Sequence, residues 1–281
     1  MQLSRASSEV YTWDGARAPD ALARTTHLGV CAHQDDLEIL ALHGILECFH
    51  RADRAFSGVV VTDGAGSARA FEYANHTDER MKAARRVEQK KAAFVGEYAA
   101  LVLLDHPSAA VKRADETRVV EDIARVLEMS RPDVVYTHNP ADAHDTHVAV
   151  ALRTIAALRL LPRDERPRRV VGCEVWRDLD WLGAPHKVAL DVSRHEHLQA
   201  ALLGVFHSQI AGGKRYDLAT LGRRRAHATF SESHDVDTHQ GLVYGMDLTP
   251  LVEDDELSVT SYVASLVDAF KADVLARLTK L

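Results

Sequence analysis

Two short polar segments of this 281-residue chain contain the residue types of a hydrolytic metal site. The first is residues 33–36, His-Gln-Asp-Asp, and the second is residues 138–147, which hold His144 and His147. Two histidines and one carboxylate resemble the three-ligand shell of catalytic zinc sites, in which one position stays open for water. A second carboxylate and a further imidazole would remain, one to act as a base towards water and one to stabilise the developing product. Together the segments predict a metal-dependent hydrolytic site.

Each segment is ambiguous when it is taken alone. Asp35 and Glu38 also have the spacing of a helix capping box. His144 and His147 lie at the expected start of a helix, where a histidine often serves only as a cap. Because short motifs match by chance, either segment alone would fit such a structural role. The metal-site interpretation depends on their combination.

Both polar segments directly follow apolar runs that have the length of buried parallel strands, residues 28–32 and residues 134–137. Further strands are predicted at 58–62, 101–104, 170–175 and 187–190, and helices at 37–49, 78–95, 116–129 and 145–160. This alternation predicts an α/β fold, a Rossmann-like, mostly parallel sheet with helices on both faces. Ligand sites of such sheets lie at the carboxyl ends of the strands, where both polar segments are placed.

The last third of the chain differs from the rest in composition and periodicity. Residues 207–245 are polar and contain glycine with little periodicity, and a final helix is predicted at about 257–281. We expect a single domain over residues 1–281, with a Rossmann-like core at 26–206 and a cap segment with a C-terminal helix at 207–281. The polar part is long enough to form a lid over the site, in which residues 230–240 would lie near the metal.

The composition excludes several classes of function. The net charge of −7 argues against nucleic-acid binding and against an anionic membrane surface. No apolar stretch reaches the length of a membrane span, and residues 1–5 lack the apolar segment of a signal peptide. Cys31, Cys48 and Cys173 fit no disulfide framework, so we expect buried thiols and a cytoplasmic location. The sequence does not determine the oligomeric state and is compatible with a homo-oligomer.

The two segments also make the chain resemble the PIG-L/LmbE-type N-acetylglucosaminyl deacetylases, which are zinc-dependent. That family's opening motif, commonly Ala-His-Pro-Asp-Asp-x-Glu, corresponds to residues 32–38, with Gln34 in place of proline. Its second motif, commonly Asp-x-His-x-Asp-His, corresponds to residues 142–147, in which the second acid, Asp145, is displaced by one position. The resemblance covers about residues 26–210, and further matches are residues 62–66, Arg86-x-Glu88 and residues 207–209.

The resemblance implies specific roles for these residues. His33, Asp36 and His147 would hold the metal, Zn²⁺ or another divalent ion such as Fe²⁺, and Asp35 would be the general base. His144 is the candidate for stabilising the oxyanion or assisting the leaving amine. The resemblance also implies that the first and fourth predicted strands are adjacent, which would bring the two segments together.

The expected partner is a small-molecule N-acetylated sugar or its conjugate, from which the acetyl group is removed. The candidate substrate-binding residues are Asp63, Arg86, His207 and His239; Arg86 could equally well be a structural helix residue. Two alternatives remain. One is a non-catalytic Rossmann-like sugar- or nucleotide-binding protein with a structural metal, and the other is an amidohydrolase acting on a non-sugar amide. The free acid Asp35 argues against the first, since structural zinc sites usually have four protein ligands.

Overall fold

The computed structural model describes residues 2–231 and 233–281; Met1 and Glu232, the latter part of the predicted lid, lie outside the described residues. The described strands form one sheet: β1 (Glu9–Tyr11), β2 (His27–Cys31), β3 (Phe56–Thr62), β4 (Ala100–His106), β5 (Val134–His138), β6 (Arg169–Cys173), β7 (Lys187–Asp191) and β8 (Leu242–Asp247).

Helices connect these strands and cover the sheet. In the described residues they are α1 (Ala18–Ala23), α2 (Asp36–Leu40), α3 (Leu42–Cys48), α4 (Asp78–Val95), α5 (Ser108–Lys112), α6 (Thr117–Ser130), α7 (Asp145–Leu160), α8 (Glu196–Gly204), α9 (His207–Ile210), α10 (Tyr216–Phe230), α11 (Pro250–Glu253) and α12 (Val259–Lys280). Within the described parts of the chain, no helix combines the length and the apolar character needed to cross a membrane.

The strand order in the sheet is β1-β4-β3-β2-β5-β6-β8-β7. The five strands from β4 to β6 in this order pair in parallel, whereas β1 pairs antiparallel with β4, and β8 pairs antiparallel with both of its neighbours. From β2 the chain proceeds through β3 and β4 on one side and then returns to place β5 on the other. The boundary between β2 and β5 is therefore a topological switch point, where sheets of this kind bind their ligands.

The structure confirms the predicted α/β fold class, and α4 and α7 have the predicted bounds. Strands β1 and β8 were not predicted. Because β8 lies inside the sheet between β6 and β7, a division at residue 206 into core and cap is wrong for residues 242–247. The expectation of a single domain stays a prediction.

Apolar clusters lie on both faces of the sheet, as expected for parallel strands that are buried on both sides. Leu37, directly after the first polar segment, packs into the face beside β2 and β3. A Cβ at Gly29 would lie 2.7 Å from Leu37 Cδ2, and one at Gly58 would lie 2.5 Å from Leu37 Cδ1. Two glycines on adjacent strands therefore make room for the leucine that anchors the start of α2.

Candidate metal centre

The loop after β2 and the start of α7 meet at the carboxyl edge of the sheet. Asp36 is the first residue of α2, and its Oδ2 accepts a hydrogen bond from the backbone N–H of His33 at 2.7 Å. His144 is the N-cap of α7, and His147 lies in the first turn of that helix. The pairing of β2 with β5 brings these segments together although more than a hundred residues separate them.

Three of the predicted ligand atoms form a nearly equilateral triangle. His33 Nδ1 lies 3.2 Å from Asp36 Oδ2 and 3.1 Å from His147 Nε2, and His147 Nε2 lies 3.3 Å from Asp36 Oδ2. Donors about 2.0–2.1 Å from one tetrahedral ion are separated by about 3.3–3.4 Å. The three side chains therefore fit a single small divalent cation that keeps at least one open position.

The electrostatic field at this triangle favours positive charge. Burial opposes a charge on His147, but Asp36 and Asp142 outweigh it and raise the pKa of His147 to about 9. Burial likewise disfavours a charged Asp36, yet the adjacent His147 holds the pKa of this carboxyl well below its usual range. A field that stabilises a proton at His147 Nε2 stabilises a metal cation at the same place.

Asp142 positions His147 from behind. Its Oδ2 lies 3.6 Å from His147 Nδ1 and accepts a hydrogen bond from the Trp176 N–H at 3.1 Å, while Oδ1 accepts one from the His144 N–H at 2.9 Å. A carboxylate behind a ligating histidine fixes the ring orientation and its tautomer. This positioning role was not predicted, although the acid of the second motif was visible in the sequence.

A further imidazole, His138, also lies beside the triangle and was not singled out from the sequence. It stacks on His147 with 3.9 Å between ring centroids, and its Nε2 is 3.4 Å from Asp36 Oδ2. That nitrogen accepts a hydrogen bond from the Ala32 N–H at 2.9 Å, so its lone pair is in use. Burial lowers the pKa of His138 to about 4, which keeps the ring neutral. His138 thus packs against the donor set as a structural residue.

Asp35 faces the same cleft but not the ligand triangle. Its Oδ2 lies 3.2 Å from Nη2 of the buried Arg85, and this oxygen accepts no hydrogen bond from any described residue. Burial raises the pKa of Asp35 to about 6; Arg85 opposes this shift and the adjacent Asp36 adds to it. A carboxylate at the wall of the cleft with a pKa near neutrality is suited to accept a proton from water.

The backbone of Asp35 is left-handed, with φ of 86° and ψ of −25°. Non-glycine residues rarely adopt this conformation unless their surroundings impose it. Here the Asp35 N–H donates to Gln89 Oε1 at 3.1 Å, and Gln89 Nε2 donates to Glu38 Oε1 at 2.8 Å. The capping-box alternative is wrong, because the Asp35 side chain caps no helix N–H and Glu38 bonds to α4 instead.

His144 lies above the triangle and is half-buried. Its Nδ1 accepts a hydrogen bond from the Thr146 N–H at 3.3 Å, which leaves Nε2 to carry the ring proton. Burial, together with the neighbouring His147 and His33, lowers the pKa of His144. A neutral imidazole with a free N–H suits a hydrogen bond to a developing oxyanion better than it suits proton donation.

His33, Asp35, Asp36, Arg85 and His144 line the inner end of a cleft of about 520 Å³. Its outer walls come from three segments, residues 66–68, residues 175–176 and residues 209–223. Residues 66–68 follow β3 and residues 175–176 follow β6, whereas residues 209–223 belong mainly to α9 and α10. Trp176 is 46% exposed in this cleft, and its ring stacks near His144 with 6.2 Å between centroids.

Two of the predicted substrate-binding residues, Arg86 and Asp63, do not line this cleft. Arg86 pairs with Glu9 at 2.9 Å and Asp105 at 3.0 Å, on the outer side of α4. Arg85 lines the cleft where Arg86 was expected, because Arg85 lies on the side of α4 that faces the cleft and Arg86 lies on the opposite side. Asp63 is buried and pairs with Lys82 at 2.8 Å beside the cleft.

The two histidines of the last third also differ from expectation. His207 is exposed and bonds to the Tyr73 hydroxyl at 2.8 Å, whereas the following Gln209 lines the cleft. His239 lies 3.6 Å from Asp191 and lines a second, separate cleft on the other side of α10. The lid prediction is therefore corrected: in the described part of the chain, residues 209–223 cover the site, and residues 233–240 do not line it.

The sequence comparisons agree with this geometry. Residues 28–158 match the family model described as PIG-L, GlcNAc-PI de-N-acetylase. This range contains both polar segments and the whole ligand triangle, and the match confirms the resemblance drawn from the motifs. No curated protein sequence matches the chain.

Solved structures share the fold at low sequence identity. The conserved protein TT1542 from Thermus thermophilus is 19% identical, with a TM-score of 0.59 over 78% of this chain and 93% of that one. The 4-carboxy-2-hydroxymuconate hydratase from Pseudomonas putida is 18% identical, with a TM-score of 0.57 over 79% and 95%. The N,N'-diacetylchitobiose deacetylase from Pyrococcus horikoshii is 17% identical, with a TM-score of 0.59 over 83% and 88%. At such identities these likenesses establish the fold.

Proposed function

We propose that this chain, whose residues 28–158 match the family model described as PIG-L, GlcNAc-PI de-N-acetylase, is a metal-dependent hydrolase of N-acetylated amino sugars or their conjugates. The observation that carries the proposal is the pairing of the ligand triangle with a separate buried acid. His33, Asp36 and His147 supply the donors, and Asp35 remains free beside them. Hydrolysis of an amide needs both features at one place.

Each residue then has a defined task. A bound divalent cation supplies Lewis-acid activation of water and of the acetamide carbonyl. Asp35 accepts the proton of the attacking water, and Arg85 holds that carboxylate in place. His144 donates its Nε2 proton in a hydrogen bond to the developing oxyanion. Asp35 then returns its proton to the departing amine, which completes the proton balance of the reaction.

For the metal we propose Zn²⁺, with Fe²⁺ as the other ion that suits the donors. Two imidazoles and one carboxylate occur in catalytic zinc sites and also in non-haem iron sites with open positions. Asp142 supports the assignment, since a carboxylate behind a ligating histidine is a common feature of such sites. The choice between the two ions requires metal analysis of protein purified without added metal.

Two neighbours bear on the choice of reaction. The fold is shared with a diacetylchitobiose deacetylase and also with a hydratase, so the architecture alone does not decide the chemistry. The family match and the free acid Asp35 support hydrolysis. The same free acid argues against a non-catalytic binding protein, and Trp176 gives the cleft an aromatic surface suited to a sugar ring.

The decisive experiment is acetate release from a panel of N-acetylated amino sugars, with and without a chelator. A non-sugar N-acetyl amine belongs in the panel, because its turnover would favour the alternative amidohydrolase. We expect chelator-sensitive release from at least one sugar. A metal-loaded protein that releases acetate from no member of the panel would exclude the proposed activity.

The location and assembly of the protein are also part of this proposal. The three cysteines are free and buried, which is consistent with a reducing compartment such as the cytoplasm. A homo-oligomer is compatible with the exposed apolar side chains of α12, among them Val267 and Phe270. Sedimentation measurements would give the oligomeric state directly.

A further inference from the structure

Two cations line the outer part of the active-site cleft. Lys214 lies between α9 and α10, and Arg223 lies in α10; both side chains are half-buried. Neither forms an ion pair with any described residue. Their neighbours in sequence do: Arg215 pairs with Asp217 at 2.8 Å, and Arg225 pairs with Glu196. Lys214 and Arg223 therefore bring uncompensated positive charge to the cleft.

Their immediate contacts hold both side chains in place without neutralising them. Lys214 Nζ lies 5.1 Å from the centre of the Trp176 ring. Arg223 Nη1 donates a hydrogen bond to the Val175 carbonyl at 2.6 Å, which leaves the rest of the guanidinium free of described carboxylates. A cation–π contact and one carbonyl orient a cation but add no negative charge.

The acids at the inner end of the cleft do not neutralise Lys214 and Arg223. Among the described residues that line the cleft, the only acids are Asp35 and Asp36. Asp36 faces the imidazoles, and Asp35 faces Arg85. The outer wall is thus a positive surface that adjoins a metal site, and both are open to the same small molecule.

We propose that this outer wall binds an anionic group, a carboxylate or a phosphate, on the amino sugar or on the unit attached to it. Lys214 and Arg223 are then the residues that determine this specificity. The inference rests on the proposed function and narrows its substrate class. Both residues lie outside the segment that matches the family model, residues 28–158.

The position of Trp176 sets where the anionic group belongs. Its ring stacks beside His144, the group assigned to the oxyanion, and Lys214 lies against the same ring. A sugar ring in contact with Trp176 therefore has its acetamide near His144 and another edge near Lys214. The negative charge is expected within about one sugar unit of the reacting bond, because His144 and Lys214 both lie against the Trp176 ring.

Binding of deacetylated ligands tests the inference without turnover. Calorimetry on metal-loaded protein would compare glucosamine with glucosamine 1-phosphate, glucosamine 6-phosphate and glucosaminuronic acid, which distinguish phosphate from carboxylate. We expect at least one anionic ligand to bind about 10- to 100-fold more tightly than glucosamine, as charge-assisted hydrogen bonds allow. Lys214→Met and Arg223→Met should each reduce that ratio by about tenfold, and higher ionic strength should reduce it as well.

Matched controls separate this effect from general loss of charge. Arg225→Met removes a cation two residues away on α10, where it pairs with Glu196, and Lys271→Met removes an exposed lysine of α12. Both controls should keep the wild-type ratio. Equal affinity for neutral and anionic ligands, or a ratio that Lys214→Met and Arg223→Met leave unchanged, would overturn the inference.

A parallel turnover assay keeps the two proposals apart. If wild-type protein releases acetate equally well from the N-acetylated forms of neutral and anionic sugars, the anionic specificity is wrong and the hydrolase function stands. If no acetate is released but the anionic ligands bind selectively through Lys214 and Arg223, the function is wrong and the anion site stands.

Discussion

Replacing Asp35 with asparagine tests the assignment of the general base. The substitution keeps the size of the side chain but removes its ability to accept a proton from water. General-base catalysis typically contributes about 10²–10⁴-fold, or about 3–5 kcal/mol of activation free energy. We expect Asp35→Asn to fall in the upper half of that range, because Asp36, the only other acid among the described residues that line the cleft, is engaged with the imidazoles.

The assay measures kcat, KM and metal content together. Since the ligand triangle excludes Asp35, the variant should hold about one metal ion per chain, lose kcat and change KM little. Burial raises the pKa of Asp35 to about 6 and a bound cation opposes this rise, so wild-type kcat/KM should fall with decreasing pH along an acid limb that lies below pH 6. Asp35→Asn should lose this acid limb, because the titrating group is gone.

The matched control is Asp145→Asn, which makes the same change at an exposed acid next to His144. We expect near wild-type turnover from it. Wild-type turnover by Asp35→Asn at full metal content would refute the assignment, and a large loss in Asp145→Asn would indicate that the base lies in the second segment.

Three further predictions concern the proposed metal ligands and the stability of the fold. His147→Ala should lose most of the bound metal while His138→Gln retains it, as elemental analysis would show; equal retention in both would contradict the ligand triangle. Asp142→Asn should weaken metal affinity by about 10- to 100-fold in chelator competition, because it removes the carboxylate behind His147. Burial lowers the pKa of His27 to about 4, so the unfolded chain binds the proton first as the pH falls through about 6.5. The free energy of unfolding should therefore decrease by about 2 kcal/mol between about pH 7 and pH 5. Urea titrations of His27→Gln should show a smaller decrease.

Local patterns in the sequence were sufficient for the central strands and for the first polar segment. A short apolar run followed by His33 and Asp36 predicts a strand that ends in a ligand loop, because parallel strands are buried on both faces. Helix α4 was predicted at its observed bounds with Gly96 as the signal for its end, and in the structure Thr77 caps its start. These features depend only on residues that are close to one another in the sequence, so local patterns are enough to predict them.

The elements that were missed or misplaced depend on contacts between distant segments. Strand β8 enters the sheet only because β6 and β7 offer it two antiparallel edges, more than fifty residues before it in the chain. The choice between Arg85 and Arg86 depends on which side of α4 faces the cleft, and that side is set by packing against other elements. A motif gives residue types and spacing, but not the rotation of the helix that carries them.

The same distinction applies to the site as a whole. The sequence determined the residue types of the proposed ligands and of the proposed base, because these lie within two short segments. Tertiary structure alone decided that His138 packs as a neutral ring behind the ligands and that residues 209–223 cover the cleft. Those outcomes follow from burial and from the pairing of β2 with β5, which join parts of the chain that no local pattern connects.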